Sequence, residues 1–78
     1  MNFHCLKVVS PSHGFPLLAF NRRNKTYFFA LRTKVDGKDC FFVSQTYPAT
    51  TESAFRYGYK KFCLLNGEVT YWAYLFDV

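Results

Sequence analysis

The chain has 78 residues, enough for one domain and too few for two, and at this length roughly 60 to 65 per cent of the unfolded surface is buried on folding. Half of the residues are hydrophobic, 22% are aromatic and 19% are charged, which excludes a disordered tail, and ten Phe, six Tyr and one Trp are more than so small a core holds, so some rings belong at the surface. The net charge of +5 favours a polyanionic or acidic partner, although solubility alone also accounts for a charge of this size.

In chain order, the first predicted strands are Phe3–Val9 and Leu17–Asn21, separated by the Ser-Pro-Ser-His-Gly-Phe-Pro turn and followed by the polar corner Asn21-Arg22-Arg23-Asn24. The strongest local signal comes next. In Val35-Asp36-Gly37-Lys38, Asp-Gly supplies the positive φ angles of a two-residue hairpin turn. Its arms, Lys25–Val35 and Lys38–Tyr47, are dense in Phe, Tyr, Val and Thr. A two-residue turn sets Lys34 opposite Asp39, Thr33 opposite Cys40, Arg32 opposite Phe41, Leu31 opposite Phe42 and Ala30 opposite Val43. Tyr27, Phe29, Leu31, Val35, Cys40 and Phe42 then share the side that reads as core. Phe28, Ala30, Arg32, Lys34, Asp39, Phe41, Val43 and Tyr47 share the other, where Lys34 and Asp39 are placed to pair across the strands.

Pro48 ends the fourth strand, and Thr50 or Thr51 caps a predicted helix with Glu52 in its first turn, Lys60 and Lys61 in its last, and Asn66-Gly67 as its stop. Ala54, Phe55, Gly58, Phe62 and Leu65 form its apolar face, while Ser53, Arg56 and Lys60 lie opposite. The final segment, Glu68–Val78, is apolar on both faces and reads as a central or doubly covered strand. The expected fold class is therefore α+β: an antiparallel sheet of about five strands with one helix packed on one face, in the order ββββαβ. One helix covers one face. The side holding Phe28, Arg32, Phe41 and Trp72 is expected to be open, available to a partner or to a homodimer.

Catalytic chemistry has no signature here. The four glycines are scattered, so no phosphate loop forms, and no nucleophile with a base and no carboxylate pair is visible, so a non-enzyme without cofactor is expected. Cys5, Cys40 and Cys63, with His4 and His13, lack metal-ligand spacing and read as reduced core thiols and surface histidines in a cytoplasmic protein. No apolar run of about 18 residues is present, so no membrane span is expected.

Three groups of residues are candidates for binding. The corner Arg22, Arg23 and Lys25 can reach phosphates or acidic side chains. Arg56, Lys60 and Lys61 make a basic helix face. Phe28 and Phe41, with Tyr47, beside Arg32 and Lys34 form the aromatic sheet face, suited to stacking bases or docking a protein.

The stretch Tyr27–Lys61, with its hairpin at Val35-Asp36-Gly37-Lys38 and its Thr51-Glu52-Ser53-Ala54 helix start, resembles the sheet-plus-helix DNA-binding modules of the AP2 and integrase-arm type. Those read DNA with Arg and Trp on their strands, and Arg32 and Lys34 stand on the corresponding face here. In size, aromatic excess and lack of a catalytic motif, the whole chain also looks like small phage-encoded anti-defence proteins, anti-CRISPR proteins among them. That resemblance implies a stoichiometric inhibitor acting in the host cytoplasm on a host protein or nucleoprotein complex. The leading expectation is such an inhibitor, using the aromatic face and the Arg22-Arg23 corner; the alternative is a direct, sequence-nonspecific nucleic-acid binder.

Overall fold

The computed structural model describes residues 2–46, 48, 50, 62, 63 and 65–76, with the backbone alone for residues 62 and 63. Among these residues six strands form one antiparallel sheet: β1 (His4–Cys5), β2 (Pro16–Asn21), β3 (Thr26–Val35), β4 (Lys38–Ser44), β5 (Phe62–Cys63) and β6 (Thr70–Tyr74), in the spatial order β1-β6-β2-β3-β4-β5. Asp36 and Gly37 both take positive φ, 52° and 78°, so the β3–β4 hairpin closes through the two-residue turn expected of Asp-Gly. The register follows from that turn, with Lys34 opposite Asp39, Arg32 opposite Phe41 and Ala30 opposite Val43. β6 inserts between β1 and β2, which explains why its sequence is apolar on both faces.

The α+β expectation is corrected. Among the described residues the fold is all-β, and no helix is long and apolar enough to cross a membrane. Residues 51–61, the body of the expected helix, lie outside the described residues, as does Tyr47. Phe62, expected on the helix's apolar face, and Cys63, within the same span, form β5 instead and pair with Phe42 and Phe41. Pairing satisfies the backbone groups of β4 along an otherwise open edge, a tertiary gain that local helical patterning does not register. The first strand is also shorter than Phe3–Val9: after Cys5 the chain turns, with Val8 and Val9 amides both donating to the Cys5 carbonyl.

The assignment of the two sheet faces is corrected as well. The face expected to be open carries the larger core cluster, in which Leu17, Ala19, Ala30, Phe41 and Trp72 are buried. Ala19 lies directly between Phe28 on β3 and Trp72 on β6, so a small side chain separates two large rings. Burying one residue such as Leu17 contributes about 2 kcal/mol. The segment between β1 and β2 crosses this face, pinned by side chains of the sheet. The Trp72 indole N–H donates to the Val9 carbonyl at 2.7 Å, Arg32 donates to the Pro11 carbonyl at 2.6 Å, and the Ser12 amide donates to the Tyr74 hydroxyl at 2.8 Å. Pro11, without an N–H to satisfy, is fully buried.

The opposite face divides in two. Towards the β3–β4 turn, Leu31 and Phe42 face one another and are buried with Phe29 and Val35 against them. Towards the β2–β3 turn Phe20 and Tyr71 are half-buried, and Tyr27, expected in the core, keeps 59% of its surface. Gly67 is required by close approach: a Cβ there would lie 3.2 Å from the Lys7 backbone nitrogen, whose N–H donates to the Gly67 carbonyl.

Candidate functional site

The β2–β3 corner is built by Asn21. Its side-chain oxygen accepts the amides of Arg23 (2.9 Å) and Asn24 (3.4 Å), the local turn that Asn favours, and Lys25 closes the corner in the left-handed region at φ 56°. Arg22, Arg23 and Lys25 are all exposed at this tip, and none has a carboxylate partner among the described residues. Arg22 is oriented all the same. Its guanidinium donates to the Tyr71 hydroxyl at 3.3 Å and stands 5.9 Å from the centre of that ring.

Beside the tip, strand register places three rings side by side. Tyr27 pairs with Phe20, and Phe20 with Tyr71, so the three form a row across β3, β2 and β6 on one face. The Phe20 and Tyr27 rings are 4.8 Å apart and tilted by 37°, and Phe3 meets Tyr27 edge-on at 6.5 Å. The described carboxylates lie away from the three tip cations or are already paired. Asp36 and Asp39 belong to the β3–β4 end, while Glu68, near the tip, is paired with Lys7 at 3.1 Å.

Of the described residues expected to bind, the structure brings Arg22, Arg23 and Lys25 together at an exposed tip. Phe41 is buried and Phe28 half-buried, so neither is the exposed anchor expected of it. Arg32 is turned inward, held by Asp39 at 2.6 Å and by the Pro11 carbonyl. Asp39 takes Arg32 and His13 as partners in place of Lys34, because a guanidinium fork on the neighbouring pair reaches both carboxylate oxygens while the covering segment delivers His13. The hydrogen bond to Arg32 holds the Asp39 carboxyl below its ordinary range, and the same bond raises the already high pKa of Arg32. Lys34 is exposed at the far end of β3; Arg56, Lys60 and Lys61 lie outside the described residues.

No family model matches this chain, and neither a curated protein nor a solved structure is similar to it. The site therefore rests on its own geometry. The residues missed at the sequence level are Phe20, Tyr27 and Tyr71. Phe20 and Tyr27 stand two positions before Arg22 and two after Lys25, so they flank the cationic corner in the sequence.

Proposed function

We propose that this chain is a non-catalytic binder of single-stranded nucleic acid, which it engages at the β2–β3 corner. One observation carries the reading: three cations with no carboxylate partner among the described residues stand beside an in-register row of three rings, Tyr27, Phe20 and Tyr71. Cations at a loop tip attract phosphates, and rings on a sheet stack bases without regard to sequence; the two together are the working parts of single-strand binding surfaces. Unstacked bases are needed for this, so a duplex is the poorer ligand. The inhibitor reading drew its anchors from Phe28 and Phe41, which the fold turns inward, whereas the direct reading keeps Arg22, Arg23 and Lys25 and gains the ring row.

Fluorescence anisotropy with labelled oligonucleotides tests it. Wild-type protein should bind single strands at low salt, with log affinity falling by about 0.7 for each phosphate engaged per log unit of salt. The double variant Arg22→Glu, Arg23→Glu should lose most of the binding and flatten that slope. Tyr27→Ser should weaken binding by roughly 5- to 100-fold, the range for one stacked base, without unfolding the domain, since Tyr27 is 59% exposed. Absence of binding at low salt would remove the proposal.

A further inference from the structure

The cations of the β2–β3 corner are gathered at a point. Arg22, Arg23 and Lys25 fall within four consecutive residues of one turn, whereas proteins that follow a single strand along its length space their cations down a groove. Lys25 is placed there against its backbone preference. Its φ of 56° is a left-handed position that Gly or Asn fills with less strain, so the lysine adds a charge that the turn itself does not need.

Arg22 is set for a particular grip. Its Nη1 donates to the Tyr71 hydroxyl at 3.3 Å, and the guanidinium stands 5.9 Å from the centre of that ring. Its Nε and Nη2 make no hydrogen bond among the described residues. Those two donors form one edge of the planar fork, which matches two oxygens of one phosphate. An internal diester brings a single negative charge to such a cluster. A terminal phosphate monoester brings about −1.5 to −2 at neutral pH and three acceptor oxygens, enough to engage the fork and a second cation together.

Resting on the single-strand reading above, we propose that the corner takes the end of a strand: Arg22, Arg23 and Lys25 hold a terminal phosphate monoester, and the last base lies against Tyr27. Tyr27 suits that base. It stands two residues beyond Lys25, is 59% exposed, and is backed by Phe20 with ring centres 4.8 Å apart. An end base has a neighbour on one side only, so less stacking is broken when it turns onto a protein ring. Tyr71 acts through Arg22, as a positioning residue for the phosphate grip.

The test uses internally labelled oligothymidylates of one length: with a 5′-phosphate, with a 3′-phosphate, with hydroxyls at both ends, and closed into a circle. Wild type should bind at least one phosphorylated strand about tenfold more tightly than the hydroxyl-ended strand and the circle, the effect of one further hydrogen bond between charged groups. Whichever phosphorylated strand gains shows which end is read. The gain is a ratio within each protein, so a general loss of affinity does not imitate it. Arg22→Lys keeps the charge without the fork, and Tyr71→Phe keeps the ring without the hydroxyl; both should bring the ratio towards one. Lys25→Gly should lower it as well, in a protein whose turn is relieved of strain. Equal binding of phosphorylated and hydroxyl-ended strands by folded wild type overturns the end inference and leaves the corner reading standing. A ratio unchanged in Arg22→Lys and Tyr71→Phe overturns it too, by placing the phosphate elsewhere. If no strand binds at low salt, both readings fail together.

Discussion

The indole N–H of Trp72 reaches across the sheet face to the carbonyl of Val9 at 2.7 Å, so the residue at the centre of the core cluster also fastens the segment that covers it. One side chain thereby links the packing of β6 to the path of the chain between β1 and β2. Trp72→Phe keeps a ring but removes the donor and part of the volume, and leaves the Val9 carbonyl to find water. A loss of roughly 1–3 kcal/mol is expected, read as a fall in urea midpoint with unchanged slope. A midpoint within error of wild type would show that the segment holds without this bond.

Asp39 gives the fold an acid-sensitive contact. Its folded carboxyl titrates below the ordinary range because Arg32, and to a lesser degree His13, hydrogen-bond the charged form. A lowered folded pKa gives stability that is complete above the unfolded value of about 3.9 and is lost as pH falls through the lower folded value. Wild type should therefore lose stability below about pH 4, and Asp39→Asn, already lacking the charge, should be less stable at neutral pH and flatter through that window. Denaturation midpoints measured from neutral pH into the acid range decide it; parallel curves for the two proteins would assign acid sensitivity to other carboxylates.

Gly67→Ala places a methyl 3.2 Å from the Lys7 nitrogen and 3.3 Å from its Cα, both backbone atoms. The β1 edge must shift to admit it, so the variant should lose on the order of 1 kcal/mol. Amide exchange localises the effect: the Lys7 N–H, which donates to the Gly67 carbonyl, should exchange faster, while the β3–β4 hairpin keeps its protection. Uniformly faster exchange would instead indicate global destabilisation.

The described thiols differ in access. Cys40 is buried and burial pushes its pKa up, whereas Cys5 is half-buried and its Sγ points to the Gly67 carbonyl at 3.4 Å. Peptide mapping after brief alkylation of folded protein should find Cys5 modified well before Cys40. Equal rates would mean that the sheet opens at β4 on the timescale of labelling.

Residue types and their order were enough to determine the β3–β4 hairpin and its register, because a two-residue turn with two positive φ angles leaves the flanking strands one alignment. The same kind of reading made β6 an inner strand, and it lies between β1 and β2. Which sheet face becomes core, and what covers it, was decided only in three dimensions. The cover is an irregular segment whose contacts with Trp72, Arg32 and Tyr74 come from residues distant in sequence and leave no periodic trace. The pairing of β5 with β4 belongs to the same class, as does the ring row beside Arg22: each depends on strand order, and strand order is set by long-range contacts that no local pattern encodes.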